Sequence, residues 1–251
     1  MPLDITSLRN LRPQNEFHYF TSIGSTMTEA ARLAVSGAPP GTVVLAEAQT
    51  AGIGRLGRSW ISEPELGVYC SILLRLPLSP VNFPIGSLLL GLATTEAIQQ
   101  STQLACDLRW PNDVLINERK VAGILTHLVE GTIVGGIGIN VNHRSFPSDL
   151  RTPATSLLLE SHGRPHSRET VLVRLLDSID SFCNLLASKG PEAVLRAFTS
   201  VSTYALNRRI ILEENGTKGV TAGLDENGFL LIRLQSGRTE RLAAGGIRPD
   251  S

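Results

Sequence analysis

Seven consecutive residues, Gly52-Ile53-Gly54-Arg55-Leu56-Gly57-Arg58, hold three glycines and two arginines and lie between two hydrophobic runs, 42–48 and 67–76. Both runs are rich in β-formers, so this loop joins strand to strand. Glycine permits close backbone approach and positive φ, and arginine offers a fork of donors that matches phosphate or carboxylate oxygens. The loop therefore reads either as an anion cradle or as a surface hairpin turn with two solvated arginines. The string Gly52-x-Gly54-x-x-Gly57 also satisfies a dinucleotide fingerprint, but that fingerprint needs a helix opening at the loop. Instead the chain continues as Ser59-Trp60-Ile61-Ser62-Glu63-Pro64 into another strand-like run. A doubly wound dinucleotide fold is set aside on that ground.

Around the loop the chain alternates strand and helix. Phe17-His18-Tyr19-Phe20 reads as a short strand. Thr26-x-x-Glu29 has capping-box spacing and opens a helix at Ser25-Thr26; Gly37 stands where a C′ glycine belongs, and Pro39-Pro40-Gly41 ends the element. Ile85, Leu88, Leu89, Leu92, Ala93 and Ile98 recur at helical spacing and predict a longer helix. Val114-Leu115-Ile116, a turn at Asn117-Glu118, then 121–125 and the glycine-rich 132–141 predict a β meander. Residues 145–168 read mostly as loop, and 169–187 and 192–200 as helices. From Tyr204 only short β runs remain, at 209–212, 219–222, 229–233 and 239–242, which suggests a small barrel. The expected organisation is one mixed α/β unit over 1–203 and a small β unit over 204–251.

With 42% hydrophobic and 18% charged residues among 251, and 23 basic against 23 acidic side chains, the composition is that of an ordinary globular protein. A zero formal charge leaves no chain-wide footprint for nucleic acid, so any positive site must be local. Cys70, Cys106 and Cys183 are far apart inside hydrophobic stretches and odd in number, which points to buried thiols and a reducing cytoplasm. No segment reads as a signal peptide or a membrane span.

Three further polar clusters accompany the loop. Gly24-Ser25-Thr26 offers hydroxyls at a helix start, for the cap or for a ligand. Arg109-Trp110-Pro111-Asn112-Asp113 is a stiffened bend whose Asn112 and Asp113 either bind backbone groups or hold a basic partner. Arg119-Lys120-Val121-Ala122-Gly123 brings a basic pair into an apolar strand, where a lone lysine usually just blunts an edge.

Taken in order with Gly-Ile-Gly-Ile-Asn-Val-Asn at 136–142, these clusters closely resemble the biotin protein ligases, over the chain from about Phe17 onward. The resemblance implies an α+β catalytic domain around a central mixed sheet, of the type shared with class II aminoacyl-tRNA synthetases, and a small SH3-like barrel. It implies ATP-dependent biotinylation of a lysine on the biotin carboxyl carrier protein of acetyl-CoA carboxylase, through biotinyl-5′-AMP. By the same resemblance biotin is contacted by Ser25, Thr26, Met27, Gln49, Gly52, Ile53, Gly54, Arg55, Lys120 and Gly123. ATP and the adenylate are contacted by Arg55, Arg58, Trp60, Asn112, Asp113, Lys120 and Asn140, with Trp60 beside adenine and Asn140 at its edge. Arg55, Arg58 and Lys120 carry catalysis as cations; no metal-ligating residues are expected, and Mg²⁺ accompanies ATP on its phosphates and water. Ser25, Thr26 and Gln49 supply the donors and acceptors that a ureido ring requires.

The chain departs from the family pattern at Ile53, where many members carry Arg, at Met27, where they carry Asn, and at Arg109 in place of Lys. Sixteen residues precede Phe17, too few for a winged helix, so no DNA partner is expected; a homodimer through the central sheet is a possible assembly. Two alternatives stay open: a lipoate or octanoate ligase or transferase of the same superfamily, and a non-catalytic module that binds biotin or the adenylate.

Overall fold

Two strands buried along their whole length form the middle of the molecule. β3 (Gly67–Leu74) and β7 (Thr132–Asn140) are buried at every position and pair antiparallel, Gly67 opposite Asn140. A strand covered on both faces reads as a nearly continuous apolar run instead of alternating, which is why 67–74 shows no alternation and only Ser71 as a polar side chain besides the Tyr69 hydroxyl. The computed structural model describes residues 1–250, and about β3 and β7 it assembles a seven-stranded sheet. β1 (Phe17–Phe20) and β2 (Val43–Ala46) run parallel at one edge. β6 (Arg119–Val129), β5 (Asp113–Ile116) and β4 (Asp107–Arg109) extend the other side antiparallel, in the order β1-β2-β3-β7-β6-β5-β4.

Helices cover both faces. α2 (Thr26–Val35) lays Met27, Ala30, Leu33 and Ala34 against Val44, Leu73 and Val134. Opposite it lie α3 (Pro84–Thr102), α5 (Arg168–Lys189) and α6 (Pro191–Val201), in one core with Val43, Leu45, Ile72 and Ile137. The neighbours in β2 and β3 thus point to opposite layers, as the two-residue period of a strand requires. α3 is buried on nearly all sides because it lies between the sheet and α5, and so it shows no polar stripe. At Gly86 the approach to the sheet is so close that a Cβ would come within 2.9 Å of Ile133.

The last sheet is antiparallel and five-stranded, ordered β11-β10-β9-β8-β12: β8 (Leu206–Leu212), β9 (Lys218–Leu224), β10 (Leu230–Leu234), β11 (Thr239–Leu242) and β12 (Ile247–Pro249). It matches the small SH3-like β unit expected. Its apolar residues Ile210, Leu230, Ile232 and Ile247 continue the main core, and the Trp110 indole N–H donates to Gly228 O at 3.0 Å. Among the described residues no helix is long and apolar enough to cross a membrane.

Local expectations held at one end of α2 and failed at the other. At its C-terminus Gly37 takes φ +81°, its N–H bonds Ala34 O, and Ala38 N–H reaches back to Leu33 O, the two bonds of a Schellman motif. At its N-terminus the capping box is not made. Glu29 turns outward to Arg32 at 2.7 Å, and the Thr26 N–H and hydroxyl both donate to Gln49 Oε1, at 2.9 and 3.1 Å. A side chain from a neighbouring segment has taken the cap's place. Four short elements were not anticipated: α1 (Ile5–Leu11), β4, β12, and α4 (Leu157–Glu160), which interrupts a stretch read as loop. Each is too short to show a period.

Candidate active site

Glycines on β6 and β7 let Trp60 and Met27 pack directly onto the sheet. A Cβ on Gly138 would lie 2.4 Å from the Trp60 ring, one on Gly123 2.9 Å from it, and one on Gly136 2.6 Å from Met27 Sδ. Above this floor lies a cavity of about 50 Å³, lined by Thr26, Met27, Gln49, Ile53, Gly54, Arg55, Trp60, Cys70, Asn112, Lys120 and Gly123 with the glycine strand. That volume is far below the ~300–1,000 Å³ usual for small-molecule sites, so the cavity is largely filled by its own lining side chains. A second cavity, about 160 Å³, also borders the ring and is lined by Arg58, Asp113, Asn140, Phe146, Arg151 and their neighbours. The two linings have Trp60 and Lys120 in common.

Eight of the ten residues expected at biotin line the inner cavity; Ser25 and Gly52 do not. Ser25 is the residue before α2, its hydroxyl buried and without a partner. Gly52 is held in the backbone: its carbonyl accepts from Trp60 N at 2.9 Å, and a Cβ would meet Trp60 O at 2.5 Å. Gln49 is oriented at both ends, its Oε1 by Thr26 and its Nε2 by Ser62 Oγ at 2.9 Å; Ser71 Oγ adds a bond to the Thr26 hydroxyl. Of the three loop glycines only Gly57 takes positive φ, +72°, and it forms the loop tip with Leu56 at φ 56°.

The bend at 109–113 organises the charges. Trp110-Pro111 is a cis peptide. Asn112 donates to Ile124 O at 2.9 Å and accepts from Arg55 Nη1 at 3.2 Å, and the same guanidinium nitrogen donates to Gly245 O at 3.0 Å. Arg55 is thereby fixed between the bend and the C-terminal sheet, and burial lowers its pKa. Asp113 is the basic-partner holder that its position allowed: Lys120 Nζ lies 2.5 Å from one oxygen and Arg109 Nη2 2.6 Å from the other. Burial alone would raise the Asp113 pKa, but Lys120 and Arg109 outweigh it and hold the carboxyl below its usual range. Lys120 Nζ also stands 5.5 Å from the centre of the Trp60 ring.

In the outer cavity Asn140 gives Nδ2 to Thr155 O at 3.0 Å, which leaves its Oδ1 as the atom for a ligand. Arg58 reaches Glu213 at 3.4 Å. Among the lining groups that sequence reading did not assign to a ligand are Cys70, Gly136, Gly138, Phe146 and Arg151. The glycines had a visible signal in their density on one strand; Arg151, inside a polar stretch without periodicity, had none.

Comparison with known proteins agrees with this geometry. Residues 19–143 match the biotin/lipoate A/B protein ligase family. The chain is 34% identical to the bifunctional ligase/repressor BirA of Bacillus spizizenii, over 87% of this chain and 70% of that one. It is 30% identical to the biotin–[acetyl-CoA-carboxylase] ligase of Mycobacterium tuberculosis, over 98% of this chain and 95% of that one. Among solved structures, the biotin protein ligase of Aquifex aeolicus in complex with biotin and ATP superposes with a TM-score of 0.79 at 32% identity, covering 93% of this chain and 97% of the other. With two cavities meeting at one lysine and likeness along nearly its whole length, this chain belongs to the biotin protein ligases.

Proposed function

We propose that this protein uses ATP to join biotin to a lysine of a biotin carboxyl carrier protein, that of acetyl-CoA carboxylase. The observation that carries the reading is the junction at Lys120 between an inner cavity with oriented amide and hydroxyl groups and an outer cavity with guanidinium groups. Biotin takes the inner one, its ureido ring toward Thr26 and Gln49, and ATP the outer one, with adenine near Trp60 and Asn140. A biotin carboxylate oxygen attacks the α-phosphorus; the bond from that phosphorus to the bridging oxygen breaks, and its electron pair leaves on pyrophosphate. The product is biotinyl-5′-AMP. A neutral carrier lysine then attacks the acyl carbon, AMP leaves with the C–O electron pair, and the amine proton is lost to water.

Charge is the main obstacle in the first step. Two like charges at about 4 Å repel by on the order of 4 kcal/mol at an effective dielectric of 20. Lys120, Arg55 and Arg58 offset this, and Asp113 positions Lys120 for it. Mg²⁺ accompanies ATP, carried on its phosphates and water as that ion prefers. We assign the chemistry to 1–203 and the accessory barrel to 204–251. The three cysteines are free, which suits a reducing cytoplasm.

An acyl-thioester route through the lining cysteine is disfavoured. Burial pushes the Cys70 thiol up to about 12, so the nucleophilic thiolate is scarce at neutral pH. The test is to supply ATP, Mg²⁺ and either biotin or lipoate, then follow pyrophosphate release and acyl transfer to a biotin-carrier domain. Biotin-dependent release and transfer are expected. Turnover with lipoate instead, or binding of biotin without turnover, overturns the reading.

A further inference from the structure

We infer that Met27 and Cys70 make the inner cavity selective for the oxidation state of the ring sulfur in biotin, admitting the thioether and excluding the S-oxide. The inference rests on the ligase reading above and deepens it: that reading turns the ureido group toward Thr26 and Gln49, and the sulfur ring fused to it then meets the side chains next to them. Met27 follows Thr26 in the first turn of α2, and Cys70 precedes Ser71, whose hydroxyl bonds that of Thr26 at 2.9 Å. Both line the inner cavity, and they are 5% and 2% exposed. Met27 Sδ lies so close to β7 that a Cβ on Gly136 would come within 2.6 Å of it, and Cys70 is paired across the sheet with Ile137, another lining residue. With Leu125 they give this end of the cavity an apolar wall.

That wall has almost no hydrogen bond to give. The Thr26 hydroxyl and N–H are both spent on Gln49 Oε1, the Ser71 hydroxyl on Thr26, and one Gln49 amide hydrogen on Ser62. The Ser25 hydroxyl is unpartnered but does not line this cavity, and on the ligase reading Lys120 and Arg55 serve the carboxylate. What remains is the second Gln49 amide hydrogen, which the ureido carbonyl claims, and the Cys70 thiol, a weak donor. A thioether asks for nothing more and suits polarizable sulfur neighbours. A sulfoxide of nearly the same size carries a strong acceptor oxygen, and an acceptor buried without a donor loses binding. The family pattern has Asn where this chain has Met27, and an amide there would supply the missing donor. The selectivity is accordingly a property of this chain's own residues.

Titration calorimetry of the full-length protein with biotin and with biotin S-oxide tests this. The wild type is expected to bind the S-oxide about 10- to 100-fold more weakly than biotin, the scale of one unsatisfied buried acceptor. M27N is expected to shrink that ratio by about fivefold or more, and C70S, a one-atom change that adds a stronger donor, by about threefold. M27L is the control, because Leu has the branching of Asn without its amide, and it keeps the wild-type ratio. C70S keeps the test open if M27N does not fold. A wild-type ratio below about threefold, relief from M27L equal to that from M27N, or no relief from either M27N or C70S overturns the selectivity. If the wild type binds both ligands alike and releases pyrophosphate with biotin, the selectivity alone falls; if it does not bind biotin at all, the ligase reading falls with it.

Discussion

Two buried ion clusters use the same chemistry for different ends. In the first, Arg168 and Glu47 meet at 2.6 Å with side chains 4% and 5% exposed. Glu47 also accepts from Leu3 N and the Tyr19 hydroxyl, while Arg168 also donates to Gly67 O and Met1 O. The cluster is closed, and its bonds tie the N-terminal residues, β1, β2, β3 and α5 to one another. In the second, Asp113 holds Arg109 and Lys120, but the Lys120 side chain is 23% exposed at the junction of two cavities. An ammonium has three donors, and Asp113 occupies one. What separates a structural pair from a reactive one is the hydrogen-bonding capacity left over.

The sharpest way to break this contrast is to remove one partner from each cluster. Arg168→Ala strands a buried Glu47, and an uncompensated buried charge of that kind costs about 3–5 kcal/mol. The unfolding midpoint in denaturant is expected to fall accordingly, with KM for biotin and ATP unaltered in the folded fraction. A loss below 1 kcal/mol, or a shift in either KM, ends the claim that the cluster is purely structural. Lys120→Ala should act the other way: about a hundredfold slower biotinyl-AMP synthesis, with a smaller loss of stability than Arg168→Ala because Arg109 still pairs with Asp113. Normal adenylate synthesis in that variant removes Lys120 from the mechanism.

Alkaline pH supplies a milder probe of the closed cluster. Burial, then the bond to Glu47, pushes the Tyr19 hydroxyl from 10 up to about 12. Between those values the unfolded chain has released this proton and the folded chain keeps it, so the stabilisation is whole below pH 10 and fades as pH rises toward 12. Partial exposure and solvent screening limit the effect to at most ~2 kcal/mol. Tyr19→Phe should flatten that slope in denaturation curves between pH 9 and 12; an unchanged slope contradicts the linkage. The open cluster has the opposite sign. Asp113 titrates below its usual range in the folded state, so its contribution is lost as pH falls through the carboxylate range.

Much of this was legible before any coordinates. The loop between strands, the C-terminal stop of α2 and the pairing role of Asp113 each rest on neighbours close in sequence, where spacing carries information. Spacing misled at Thr26 and Glu29, because the acceptor that fills the cap is Gln49, brought alongside by the parallel strand pair β1 and β2. Glu213 was invisible for the same reason: it lies 155 residues from Arg58, and no local pattern marks a partner at that distance. The uniform burial of β3 also erased the alternation that would have told which face meets which layer.

The smallest expected effect lies at Ile53, one of the three positions where the chain departs from the family pattern. Ile53 lines the inner cavity, is 40% exposed, and bridges Ser59 across the loop through its backbone. If the site uses this residue through its main chain, the side chain is free to vary, and a guanidinium placed there gains little because water screens an exposed charge. Ile53→Arg is therefore expected to change biotin affinity by no more than about threefold, with adenylate synthesis retained in both forms. Titration calorimetry with biotin decides it. Tightening by a hundredfold or more would mean that the open cluster is one cation short, and the contrast between closed and open clusters would then have to include a charge that this chain has lost.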